Sequence, residues 1–219
     1  MNNIQQIGRL VQKDFQLEFR QQYTFYGLVL YLVSTSFVVY LSLGQPEEKV
    51  WNALFWIIQL FVCINAVTKS FAQEARGRLL YFYTLSGPVN FMLAKLVYNG
   101  LLMLAMNGFS VLVFLLFLGN PLVDPFTFLG ISLLSGLSIS LLFTFLAAIA
   151  AKADQQASLM AIMGLPLIVP QLLLIMKLAS TAFSSAIQQG FWSLVGMLAG
   201  LDILVIALAV ILYPFLWKD

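Results

Sequence analysis

Four groups of residues in this 219-residue chain have types and spacings suited to chemistry or to the transmission of force. Asp202 is a single acid inside a long apolar run, where a carboxyl group marks a functional site or one half of a buried pair. Lys13, Asp14, Glu18 and Arg20 place charges of both signs on one N-terminal stretch, and Glu74, Arg76, Gly77 and Leu79 form a compact polar and apolar motif between two apolar runs. Pro166 and Pro170 stand four residues apart within another run, where each proline removes a backbone donor and clashes with the preceding turn. None of these is a catalytic constellation. The chain has no histidine, so Ser-His hydrolysis, His-Glu-x-x-His zinc chemistry and histidine-ligated haem lie outside its means. The one cysteine, Cys63, has no internal disulfide partner and reads as a small buried hydrophobe. No phosphate-cradling loop of the G-x-x-x-x-G-K-[ST] type occurs. The sequence predicts a chain that is not an enzyme, holds no metal and no covalently bound cofactor, and draws its energy from a separate partner.

The elements that must position these residues are apolar helices. Six runs, at about 23–43, 50–68, 96–118, 125–151, 159–176 and 191–217, are each long enough to cross ~30 Å of hydrocarbon at ~1.5 Å per residue. Apolar residues make up 61% of the chain and charged ones 9%, against ~25% charged in soluble domains. The expectation is an all-α membrane protein with six transmembrane helices in a single permease domain covering 1–219. The first twenty residues are too polar for a cleavable signal peptide, so the first span is expected to be retained. Lysine and arginine fix the orientation. Arg9, Lys13, Arg20, Lys69, Arg76, Arg78, Lys95, Lys152 and Lys218 fall on one side of a six-span arrangement; Lys49 and Lys177 fall on the other. Both termini are therefore expected in the cytoplasm. Tyr23, Tyr26, Tyr40, Trp51, Trp192 and Trp217 fit an interfacial aromatic belt. The net charge of +2 is the remainder of this asymmetry and argues for no nucleic-acid partner.

Residues 4–22 have helical periodicity. Arg9, Lys13 and Arg20 share a narrow sector, opposite Ile4, Ile7, Val11, Phe15 and Phe19, as in an amphipathic helix lying on a membrane surface. Asp14 and Glu18 intrude on the apolar arc, which is read either as local pairing with Lys13 and other neighbours or as docking to another protein. The connection from Lys69 to Lys95 combines the polar stretch Gln73–Arg78, the aromatic stretch Leu79–Leu85 and the turn signal Ser86-Gly87-Pro88. It is read as a short cytoplasmic helix that docks a partner, in preference to an interfacial loop anchored by tyrosines. Ser132, Gly136 and Ser140, and likewise Gly196 and Gly200, follow the small-xxx-small rule for close helix approach, within the chain or between copies. Pro166 and Pro170 predict a break in the fifth span, serving as a hinge or as a static kink.

Along nearly its whole length the chain resembles the CcmB family, the permeases of the bacterial cytochrome c maturation haem exporter, an ATP-binding-cassette transporter. The likeness rests on Lys13-Asp14…Glu18-x-Arg20, on Phe71-x-x-Glu74-x-x-Gly77-x-Leu79…Leu85-x-x-Pro88…Ala94-Lys95, and on Leu165-Pro166-Leu167-x-Val169-Pro170. Leu80 stands where relatives often carry an acidic residue. The resemblance implies an exporter permease of the ABC-2-like type in the bacterial inner membrane, with a cytoplasmic coupling helix between spans two and three. It implies a separate ATPase contacted through Glu74, Arg76, Gly77 and Leu79, and two copies of each. Further implied partners are a haem-handling membrane subunit, a small single-span subunit and a periplasmic haem chaperone, with haem as the substrate and lipid as the surroundings. The absence of histidine favours transmission of ATP-driven motion over passage of haem through this chain. An ABC-2-type permease for lipid, polysaccharide or drug, and a structural subunit without coupling, are the alternative readings.

Overall fold

The computed structural model describes residues 3–21, 23–72, 87–151, 156–184 and 190–216. Every regular element among them is helical. They are α1 (Asn3–Gln21), α2 (Tyr23–Leu43), α3 (Glu48–Ala72), α4 (Pro88–Leu118), α5 (Pro125–Ala150), α6 (Gln156–Ala179), a 3-10 turn (Ser180–Phe183) and α7 (Phe191–Leu216). Six of them, α2 to α7, are long and apolar enough to cross a membrane. The chain is a multi-pass membrane protein.

Proline chemistry sets the starts of the two central helices. Gly87, at φ 75°, takes a backbone conformation open to glycine, and Pro88 follows as the first helical residue, where its missing N–H is no loss. Asp124 plays the corresponding part for α5: its Oδ1 accepts from the Thr127 amide at 3.1 Å and its Oδ2 from the Thr127 hydroxyl at 2.6 Å. These bonds hold the Asp124 carboxyl below its ordinary pKa. The start at Pro88 corrects the expected boundary. Lys95, read as part of the connection, lies in the second turn of α4, because the polar Asn90 and Lys95 interrupt an apolar run without interrupting the helix.

α5 is the centre of the bundle. It packs against α3, α4, α6 and α7, and 72% of its apolar window is buried, against 17% for α2 and for α7 at the edges. Small residues allow this packing. A Cβ at Gly136 of α5 would lie 2.7 Å from Cγ of Asn107 on α4, and one at Gly164 of α6 would lie 2.7 Å from the Phe143 ring. Gly196 and Gly200 differ: a Cβ on either meets nothing within 4 Å, so this pair packs no helix among the described residues.

One end of the bundle is closed by rings. Trp51 stacks on Phe55 at 5.6 Å and meets Phe114, Phe128 and Phe183 edge-on at 5.2–5.8 Å. The amides of Val123 and Asp124 donate to the Ala182 carbonyl, tying the α4–α5 turn to the 3-10 turn that follows α6. Trp51 is fully buried, which corrects its assignment to an interfacial belt; its position near a helix end looked interfacial, but its face is turned into the cluster. Tyr26, Tyr40 and Trp192 are exposed, as such a belt requires. Tyr23 is outside the residues with described side chains, and Trp217 is outside the described residues.

The two kinds of glycine give opposite expectations for one chemical change. Gly136→Ala should destabilise the detergent-solubilised protein, by about 1–3 kcal/mol through overpacking against Asn107. Gly200→Ala should be neutral or stabilising, by up to ~1 kcal/mol of helix propensity. Thermal unfolding of the two variants beside the parent protein measures both.

Candidate functional site at the α1 end of the bundle

The end opposite the aromatic cluster is organised around a buried ammonium group. Lys95 of α4 is 2% exposed. Its Nζ lies 3.0 Å from Asp14 Oδ2 on α1 and donates to the Ser70 carbonyl in the last turn of α3 at 3.0 Å, with the Ser70 hydroxyl at 3.5 Å. The rings of Phe71, Phe91 and Tyr98 surround it, with centroids 5.6–5.8 Å from the nitrogen. A desolvated ammonium needs this combination of carboxylate, carbonyl and ring faces, because burial of an isolated charge is strongly unfavourable. Lys13 adds a second cation, 3.1 Å from Asp14 Oδ1.

One turn along α1, Glu18 is also buried, and its Oε2 accepts from the Tyr98 hydroxyl at 3.3 Å. Phe15, between the two acids, meets the Tyr98 ring edge-on at 5.1 Å. At the start of α4, Asn90 Nδ2 donates to Gln6 Oε1 at 2.8 Å. The face of α1 turned to the bundle is thus Gln6, Leu10, Asp14 and Glu18, spaced as one helical stripe. The acids that intrude on the apolar arc point inward to a lysine and a tyrosine some 80 positions away in the chain. Local pairing with Lys13 is present but is the lesser part. The other apolar side chains divide: Ile7, Val11 and Phe15 are partly covered, whereas Phe19 is 76% exposed. Arg9 and Arg20 lie on the exposed side.

Two features of this knot bear on function. Ser70 stands immediately before residues 73–86 and Lys95 shortly after them, so one ammonium group joins both stems of that connection to α1. Glu74, Arg76, Gly77 and Leu79 themselves lie outside the described residues. Ser70 and Tyr98 were not singled out by sequence reasoning, and Lys95 entered only as a topology charge, as the end of the connection and as part of the family resemblance. The available signal was a lysine within an apolar helix whose neighbours at −4 and +3 are Phe91 and Tyr98.

A second polar cluster sits deeper, between α5, α6 and α7. The Ser138 hydroxyl donates to Asp202 Oδ1 at 2.5 Å, and Gln171 Nε2 donates to the Ser138 oxygen. Asp202 is partly exposed and Gln171 is buried. The sequence left Asp202 as a functional site or one half of a buried pair; the contact seen is with the Ser138 hydroxyl. Pro166 and Pro170 lie within α6, which continues through both. They occupy its exposed face, opposite the buried stripe of Gly164, Ile168, Gln171 and Ile175. The span packs against the bundle through that stripe rather than through the prolines.

Breaking the knot from one side should be costly. Lys95→Met leaves Asp14 buried beside Lys13 alone and should destabilise the protein by roughly 3–5 kcal/mol. The double replacement Asp14→Asn with Lys95→Met should cost less than the sum of the single changes, with a coupling of about 0.5–3 kcal/mol. A double-mutant cycle by thermal or denaturant unfolding in detergent reads both quantities, and strict additivity would exclude the pairing.

Comparison with known proteins supplies the identity. Comparison with individually curated proteins returns no match. A family model described as CcmB protein matches residues 5–215, nearly the whole chain, from α1 through all six spans to the last turn of α7. Such membership implies a multi-pass membrane subunit of the haem-export ABC system of cytochrome c maturation. The chain belongs to the CcmB family.

Proposed function

We propose that this chain is the permease through which a separate ABC ATPase drives the haem-delivery step of c-type cytochrome maturation. The observation that carries the reading is the Lys95 knot. A partner pressing on residues 73–86 acts on the end of α3 and the start of α4 together, and both are bonded through Lys95 to α1. Such a junction turns a local push into a joint movement of three helices. In this reading Glu74, Arg76, Gly77 and Leu79 make the contact with the ATPase, the charges setting register and Leu79 acting as anchor. α1 lies at the cytoplasmic surface of the inner membrane with Arg9 and Arg20 towards headgroups, and both termini are cytoplasmic. The single permease domain works as two copies beside a haem-handling subunit, a small single-span subunit and a periplasmic chaperone. Haem is the substrate of the complex, and this chain transmits motion. Pro166 and Pro170 weaken α6 on one face, which suits a helix that bends during the cycle.

Coupling is tested by replacing Glu74 and Arg76 together with alanine. The variant should remain in the membrane at parental levels, lose co-purification of the ATPase and lower c-type cytochrome content severalfold, since paired polar contacts at interface centres are worth ~2 kcal/mol or more. Normal recruitment and normal cytochrome levels would move the contact elsewhere.

Orientation has its own test. Single cysteines introduced after replacement of Cys63 should react with a membrane-impermeant maleimide from outside at positions 47, 124 and 185, and not at 73 or 155. Labelling of position 73 from outside would reverse the topology.

A further inference from the structure

Several buried polar atoms without a hydrogen bond lie on α5 and on the two helices, α3 and α4, that pack against it. The Gln59 amide of α3 is 1% exposed, and neither its nitrogen nor its oxygen has a partner. On α4, Oδ1 of Asn99 and of Asn107 are unpaired; on α5, so are the fully buried hydroxyls of Ser132 and Ser140. Inside a membrane protein such groups are strongly unfavourable unless another arrangement pairs them.

Register relates them to one another. Asn107 is pressed on Gly136, where a Cβ would lie 2.7 Å from its Cγ, and Asn99 donates to Thr144 at 3.1 Å. Trp51 meets Phe128 at 5.2 Å, and α3 and α5, two crossings apart, run in the same direction. Gln59 and Gly136, each eight residues further on, are therefore level, so Gln59 and Asn107 share the depth of Gly136. On α5 itself Ser132, Gly136, Ser140 and Thr144 repeat every four residues, about one turn apart.

We infer that α5 has a second register against α3 and α4, one turn nearer the α1 end, in which each of these positions takes the place of the next. Ser132 then stands where Gly136 stood and offers its hydroxyl to the amides of Asn107 and Gln59. Ser140 replaces Thr144 as the partner of Asn99, so the existing bond is exchanged and a new one is gained. One-turn ratchets of about 5.4 Å are a recognised form of helix movement. Ser132 in this place displaces only the far end of the Asn107 side chain, whose nitrogen now turns back on the Met103 carbonyl.

The bundle divides into two bodies that suit such a shift. Lys95 joins α4 to α1 and α3, whereas Ser138, with Asp202 and Gln171, joins α5 to α7 and α6. Phe128 would leave Trp51 but settle beside Phe55 and Trp56, which already meet its ring at 5.1 and 6.5 Å. The turn at residues 119–124 begins at Gly119, with φ 79°, and has the length to follow. The force that selects the second register rests on the permease reading: a push that moves α1, α3 and α4 together moves them against α5.

The test is a spin-label distance between cysteines placed at Val97 of α4 and Phe126 of α5, both exposed, in the full chain in nanodiscs after replacement of Cys63. The shift brings Phe126 towards Val97 along the bundle and shortens this distance by about 5 Å. Thr144→Val removes the partner of Asn99 in the first register alone. The shorter component should then rise about fivefold relative to the longer, in keeping with the net strength of one hydrogen bond. Adding Ser132→Ala and Ser140→Ala should remove that component. Thr144→Ala serves if Thr144→Val does not fold. With the ATPase bound, ATP should move the parent protein in the same direction. A distance distribution in the Thr144 variant identical to that of the parent would overturn the inference. A shorter component there that ATP does not enlarge would uphold the second register and count against the permease reading instead.

Discussion

A single ammonium group placed where water cannot reach governs the α1 end of this molecule. Lys95 is accommodated because three helices contribute to its compensation: a carboxylate from α1, a carbonyl and hydroxyl from α3, and rings from α3 and α4. A buried ion pair adds little net stability compared with an apolar filling of the same volume, but separating its members is heavily penalised. The pair is therefore a device for keeping parts together. Apolar contacts between membrane helices tolerate sliding, since lipid tails are as apolar as leucine. An ion pair with a fixed carbonyl does not. The helices that flank residues 73–86 are thus held in register by the least forgiving interaction available to them.

The rest of the bundle follows a related logic with weaker bonds. Asn99 Nδ2 donates to the Thr144 hydroxyl between α4 and α5, and Asn52 Nδ2 donates to the Met176 carbonyl between α3 and α6. Asp202, Ser138 and Gln171 join α7, α5 and α6. Each bond fixes a depth at which two helices meet, and the aromatic cluster around Trp51 closes the far end by shape. α6 is held by this polar chain on its inner face, while its two prolines lie on the exposed one.

How much of this was legible in the sequence depends on the distance over which each feature is decided. Six apolar runs and the amphipathic period of α1 are local patterns, and the helices appear where those patterns lie. The start of α4 was misplaced because a hydropathy reading treats Lys95 as a boundary, while its partner comes from α1. Asp14 and Glu18 were recognised as misfits on the helical wheel, yet nothing local points to Lys95 or Tyr98. The partner of Asp202 is one of several serines on α5, and only packing selects Ser138. The two small-residue motifs look alike in sequence; the surroundings separate Gly136, pressed on Asn107, from Gly196 and Gly200, which meet nothing within 4 Å among the described residues.

The length of α4 has a consequence for the surrounding bilayer. At ~1.5 Å per residue its 31 residues extend about 46 Å, well beyond the ~30 Å of hydrocarbon. A helix so long ordinarily adjusts to bilayer thickness by tilting or by sliding along its axis. Sliding would draw Lys95 away from Asp14 on α1, so tilt is the adjustment that keeps the pair together. The ion pair thus makes the inclination of α4, rather than its depth, the quantity that answers to bilayer thickness.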